Sequence, residues 1–168
     1  MFAPTELRAQ RSIEVFVGAG HTATDVEGWA KTRLLDWSQF LSDGHAQLFL
    51  LGLGSARLGV EAGHSDFMWY EYDSCPNCAQ THYTDRYIAA TRVLAVAQVG
   101  SRFFAELAGG VHLFNGFTDL GAYGGLGVRI PLVGRLELPI KARAGIILDS
   151  DEKLIPISLS GGLSYRLK

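Results

Sequence analysis

The sequence predicts an all-β chain: an eight-stranded antiparallel up-and-down transmembrane β-barrel with one short helix in its first long loop. Three observations predict it. Apolar residues recur at every second position through long segments, as in Leu136, Leu138, Ile140, Ala142, Ala144, Ile146 and Leu148. Successive strand side chains point to opposite faces, so a period of two is a β signal. Eight such segments follow one another, an even number. The connections after the second, fourth and sixth are very short, and those after the first and third are long, which is the arrangement of a membrane barrel with tight turns at one end.

Composition supports this class. A chain of 168 residues is one domain by length and can enclose a core. Charged residues make up 19%, below the roughly 25% of soluble domains, and glycine is 20 of 168, above the average of about 7%. Few charges and many glycines suit crowded strands with no need of a charged exterior. The net charge of −2 argues against nucleic acid as a partner, because phosphate binding needs a basic face. No apolar run approaches the ~20 residues of a membrane helix. The chain is therefore either soluble or spans a membrane as a barrel, since only helices and closed barrels keep every backbone group paired in lipid.

The elements run in order. Residues 1–11 read as a flexible N-terminal tail ahead of a single β-barrel domain over 12–168. The tail lacks the basic and apolar regions of a complete signal peptide. It fits a mature chain with an added Met or a start inside a longer precursor. The first strand spans Ser12 to His21, with Ile13, Val15 and Val17 opposite Glu14, Phe16 and Gly18.

Asp25 to Leu41 changes period. Val26, Ala30, Leu34, Trp37 and Leu41 recur at helical spacing, with Thr24 or Asp25 as N-cap and a stop at Ser42-Asp43-Gly44. This predicts a short amphipathic helix on the barrel rim. His45 to Leu53 is the second strand, apolar on both faces. Gly54-Ser55-Ala56 turns into a long third strand, Arg57 to Asp73. His82 to Val99 returns, and Gly100-Ser101 turns into Arg102 to Phe114. Asn115-Gly116 is a hairpin signal between two alternating runs. Phe117 to Ile130, Leu136 to Leu148 and Leu154 to Leu167 complete the eight.

Which face is wet decides the class. In a soluble barrel the apolar stripes fill the core, and in a membrane barrel they face lipid. The stripes are long enough for the ~9–11 residues of a membrane-crossing strand. The opposite face is poor in Lys and rich in Gly, Ser, Arg and Glu. Aromatics gather near strand ends (Trp69, Tyr70, Tyr72, Tyr83, Tyr87, Phe114, Phe117, Tyr165), as in interfacial girdles. The inverted reading follows. A soluble barrel holding an apolar ligand is its rival.

An eight-stranded barrel is just wide enough inside for side chains. Glu14, Glu61 and Glu106 are therefore expected to pair with Arg92, Arg129, Lys141 and Arg143 in a lumen charge network, with no open pore. Buried charges persist only when paired. Cys75-Pro-Asn-Cys78 lies in the loop after the third strand and reads as a local disulfide in an oxidising compartment. One such motif supplies two ligands, and zinc normally takes three or four from protein, so no metal is expected. Nor is any cofactor.

The chain resembles the small eight-stranded bacterial outer-membrane barrels, the group of the outer-membrane protein A transmembrane domain and outer-membrane protein X. The resemblance covers most of Ser12 to Leu167. It is carried best by Phe103-Phe104-Ala105-Glu106-Leu107-Ala108-Gly109-Gly110, by Gly124-Gly125-Leu126-Gly127-Val128-Arg129, and by the closing Gly161-Gly162-Leu163-Ser164-Tyr165-Arg166-Leu167. The chain departs from the group by ending Leu167-Lys168 where an aromatic is usual. The resemblance implies a bacterial outer-membrane location and partners among outer-membrane lipids, lipopolysaccharide included. It also implies the barrel-assembly machinery during biogenesis, with a protein partner at the extracellular loops. The resemblance implies location and fold more than activity; the role expected from loops on a rigid scaffold is structural, adhesive or in a surface assembly, with no catalytic residues expected.

Some relatives modify lipid A, which makes an acyl hydrolase or transferase the alternative. The deacylase pattern His-x-Ser has no match here, and the palmitoyltransferase helix precedes the first strand rather than following it. His112, Asp119 and Ser158 are the residues from which an enzymatic site would have to be assembled.

Overall fold

The computed structural model describes residues 11–25, 40–73, 82–148 and 153–167. Eight antiparallel strands close into a barrel in which each pairs with its sequence neighbours and β1 pairs with β8. They are β1 Ser12–Asp25, β2 Phe40–Leu53, β3 Ala56–Asp73, β4 His82–Gly100, β5 Phe103–Phe114, β6 Thr118–Pro131, β7 Leu136–Leu148 and β8 Lys153–Arg166. Closure leaves no unpaired edge along the wall. No helix among the described residues is long and apolar enough to cross a membrane.

The tight turns β2–β3 and β6–β7 carry Gly54 and Gly134 at φ 60° and 63°, a left-handed conformation that glycine adopts without a Cβ clash. The β3–β4 hairpin is the longest. β3 and β4 stay in register from Ala56↔Val99 to Asp73↔His82, whereas β4 meets β5 only from Ala90 onward. The β4 segment from His82 to Ala89 therefore rises beyond the end of β5.

The alternation resolves in the inverted sense. Ile13, Val15 and Val17 are exposed, and Ser12, Glu14 and Phe16, which alternate with them, are buried. In β5, Leu107 is 70% exposed while Glu106 is 2% exposed. Leu58, Val60, Val93, Leu126, Leu159 and Leu163 also stand on the outer surface.

Two expectations are corrected around β2. The segment expected to be helical falls largely on residues outside those described. Its C-terminal end does not: Leu41, Ser42, Asp43 and Gly44 lie in β2, paired with Gly20, Ala19, Gly18 and Val17. β1 likewise continues past His21 to Asp25, which pairs with Lys153, and the residues that Thr24 or Asp25 would cap lie outside those described. The physical reason is that Leu41, Asp43, His45, Gln47 and Phe49 alternate inward as one strand face, all buried. Leu41 met a helical spacing with Trp37 by coincidence. At the other end a bulge between Phe49 and Leu51 lets Leu50 and Leu51 both face outward, which is why this strand reads as apolar on both faces.

Inward glycines make room for rings. Phe104 faces Gly127 across the β5–β6 pair, and Tyr123 faces Gly145 across β6–β7. A Cβ on Gly127 would come within 2.3 Å of Phe104 Cζ, and one on Gly145 within 2.3 Å of Tyr123 Cδ1. An aromatic laid over a cross-strand glycine covers backbone that would otherwise be bare. This accounts for part of the glycine content.

Candidate functional site

The lumen is the chemically distinctive part of the molecule. Period-two alternation brings inward side chains from every strand onto one narrow axis, and register decides which of them meet. Gln47 stands opposite both Glu14 and Glu61, and Gln98 opposite both Arg57 and Glu106. A slip of one residue would send each of these to the outer wall.

Two carboxylates form the centre. Glu61 accepts from Arg92 Nε at 2.7 Å, from Arg143 Nη1 and Nη2 at 2.9 and 2.7 Å, and from Gln47 Nε2 at 2.7 Å. Glu106 accepts from Lys141 Nζ at 3.1 and 3.2 Å, from Arg143 Nε at 3.0 Å, and from Gln98 and Gln47 Nε2 at 2.5 and 3.0 Å. Arg143 Nη2 also contacts Glu106, so one guanidinium bridges both acids. Gln47 bridges them too, as a neutral donor. Buried ions with this many charge-assisted partners avoid the several-kcal/mol cost of an unpaired ion, at roughly 3–5 kcal/mol for breaking one such pair.

Rings insulate the centre. Lys141 Nζ lies 4.0 Å from the Phe16 ring centroid, and Phe16 stacks on His45 at 4.8 Å. Arg143 lies 5.3 Å from the Tyr123 ring, an attraction between the cation and the ring face.

Toward the loop end, Arg92 Nη1 lies 2.6 Å from Asp43, which also accepts from Ser65 at 2.9 Å and sits 3.0 Å from His45 Nδ1. His112 Nε2 is 2.7 Å from the Tyr123 hydroxyl. Beyond these the lumen turns apolar. Leu41, Phe67, Ala90, Phe114, Ile147 and Leu154 are buried together, and Phe114 stacks on Phe117 at 4.7 Å. Phe114 thus belongs to an interior plug, which corrects its placement in an aromatic girdle. The side chains of Trp69, Tyr70, Tyr72, Tyr83 and Tyr87 lie outside the described residues.

Toward the turn end, Arg57 Nη2 pairs with Glu14 at 2.8 Å and donates to Gln98 Oε1 at 2.6 Å, while its Nη1 donates to Ser12 at 3.0 Å. Arg129 Nε is 3.5 Å from Glu14, and its Nη1 donates to the Ser101 carbonyl at 3.0 Å. Arg57 and Arg129 each lie over a ring, Phe49 at 4.2 Å and Phe104 at 4.0 Å.

All seven residues expected in a lumen network lie in the lumen. They divide into a centre (Glu61, Arg92, Glu106, Lys141, Arg143) and a turn-end group (Glu14, Arg129). Sequence reasoning missed Asp43, His45 and Gln47, because the helical reading and the weak phase of β2 hid their alternation. It also missed Arg57, at the start of β3. Arg166, near the end of β8, is mostly exposed at the rim and pairs with Glu137. Cys75 and Cys78 lie outside the described residues. Among the described residues no group of three or more His, Cys, Asp or Glu side chains is placed to hold a metal ion. His112 and Asp119 are cross-strand partners, whereas Ser158 faces Arg143 and Gly20.

A closed eight-stranded antiparallel barrel with an apolar outer wall and a charged, paired interior has the architecture of the small bacterial outer-membrane barrel proteins. No family model and no curated protein matches the chain. Solved structures do. Ail, the attachment invasion locus protein of Yersinia pestis, is similar with a TM-score of 0.57 at 11% identity, over 94% of this chain and 100% of that one. The outer membrane protein AlkL gives 0.56 at 10% identity, over 100% and 95%. Neisserial surface protein A gives 0.51 at 16% identity, over 92% and 97%. The fold is shared along the whole barrel while the sequence is not.

Proposed function

We propose that the chain is an outer-membrane barrel of a Gram-negative-type envelope, with a structural, adhesive or surface-assembly role exerted through its loop end. The observation that carries the membrane reading is the inversion itself. A soluble barrel would leave Leu107, Leu126 and Leu159 in water while burying Glu61, Glu106, Lys141 and Arg143, the reverse of what the hydrophobic effect favours. In lipid both faces are in suitable surroundings. The short turns then face the periplasm, and lipopolysaccharide and other outer-membrane lipids surround the wall, with the barrel-assembly machinery as the partner during biogenesis.

The loop-end role is supported by the β3–β4 hairpin. Its eight β4 residues beyond β5 would project about 26 Å at ~3.3 Å per residue. A rigid scaffold that lifts a hairpin clear of the wall is suited to contact other surfaces. The interior is filled by the ion network and the aromatic plug, which supports a barrel without an open pore. A Cys75–Cys78 disulfide would brace the hairpin's tip. Cells displaying the full chain are expected to adhere to a host-cell or matrix surface. A variant with the tip between Tyr70 and Asp85 replaced by a short turn should lose adhesion yet remain a heat-resistant barrel on gels. Equal adhesion by both would overturn the loop-end role. A stable monomer in water without detergent would overturn the membrane reading. The lipid-modifying alternative would be supported by turnover of labelled lipid A in micelles.

A further inference from the structure

The two charged regions of the lumen are not balanced alike. Counting the adjoining loop-end Asp43 with the centre, Asp43, Glu61 and Glu106 face Arg92, Lys141 and Arg143, three against three. At the turn end a cavity of about 290 Å³ is lined by Arg11, Arg57, Arg129 and Arg166. The carboxylates paired with these arginines are Glu14, shared by Arg57 and Arg129, and Glu137, held by Arg166. Among the described residues the mouth therefore carries two positive charges in excess.

We propose that this mouth is a binding site for a phosphate-class oxyanion. Donor geometry supports it. Arg57 and Arg129 form a floor already fixed in place by Ser12, Gln98 and the Ser101 carbonyl, so little side-chain freedom is lost on binding. Arg11 and Arg166 stand at the rim, and Ser55, Ser101 and the Arg166-paired Glu137 also line the cavity. Guanidinium groups match phosphate oxygens two at a time. The excess charge matches the roughly −1.5 to −2 of a phosphate monoester at neutral pH. The cavity far exceeds the ~30 Å³ share of one water, so a phosphate with part of its attached group fits. The site lies at the opposite end from the proposed adhesive hairpin and stands or falls independently of it.

The test uses the full chain refolded in an uncharged detergent. Inorganic phosphate is titrated by calorimetry against chloride at matched ionic strength, which removes simple screening. Saturable one-to-one binding is expected. The rim double variant Arg11→Gln/Arg166→Gln should weaken it about tenfold or more. Arg102→Gln, an exposed arginine of the β4–β5 turn outside the lining, should leave it within about twofold. The rim variants avoid the buried network, so they test the site even if Arg57→Gln fails to fold. No saturable binding beyond chloride, or equal loss in Arg102→Gln, would overturn the proposal. Repeating the titration in nanodiscs separates the sources. Competition by phosphatidylglycerol, absent in phosphatidylcholine alone, identifies a lipid headgroup, and undiminished phosphate binding identifies a soluble phosphorylated ligand.

Discussion

Glu106 and Leu107 are adjacent in β5 and occupy opposite environments. Glu106 is surrounded by Lys141, Arg143, Gln47 and Gln98, and Leu107 stands on the outer wall with most of its surface uncovered. The same contrast runs around the barrel, from Glu14 and Val15 in β1 to Arg143 and Ala144 in β7. Each face is held together differently. The lumen is stabilised by specific partners, so its residues cannot be exchanged one at a time. In the proposed membrane setting the wall is stabilised by lipid, so its residues need only be apolar and of tolerable shape. A core residue in a soluble protein combines both demands, and here the barrel separates them.

The contrast can be broken from either side. Glu106→Ala should have the largest effect, about 3–5 kcal/mol, because Lys141 and Arg143 would remain buried with a partner removed. Urea unfolding in lipid vesicles reads it, and an unchanged midpoint would sink the network as a stabilising element. Leu107→Arg attacks the wall and should cost about 2–4 kcal/mol if the site lies near the bilayer midplane. The same substitution in a soluble barrel would be nearly neutral, so the vesicle measurement also tests which solvent this face meets. Gly145→Ala sharpens the lumen side. Its Cβ would meet the Tyr123 ring and the Ala122 carbonyl, for a loss of about 1–3 kcal/mol, visible as a lower unfolding midpoint. Glu137→Gln should do least, about 0–1 kcal/mol, because its partner Arg166 is largely in water at the rim. A loss as large as that of Glu106→Ala would mean that rim and centre form one network.

Much of this was legible in the chain itself. β3, β7 and β8 alternate over long unbroken runs, so their inward and outward sets are read directly. The turn glycines and the Asn115-Gly116 pair mark where they reverse. β2 was harder. Its inward set Leu41, Asp43, His45, Gln47 and Phe49 does alternate, but the outward Leu48, Leu50 and Leu51 with a bulge blur the phase, and Leu41 also fits a helical series. Phe114 looked interfacial because aromatic character cannot distinguish a lipid boundary from an interior plug; only its contact with Phe117 and burial with Leu41 and Phe67 did so.

The sequence by itself determined the strand count, the two-faced pattern and the inventory of charges available to the interior, because each depends only on neighbours along the chain. Tertiary structure decided the pairing. Glu61 meets Arg143 across 82 positions and Arg92 across 31, and Gln47 reaches Glu106 across 59. Such meetings depend on register and on the curvature that closes eight strands around one axis, and neither can be read from local alternation. The same closure set three acids against three bases at the centre and left four arginines to two acids at the turn-end mouth.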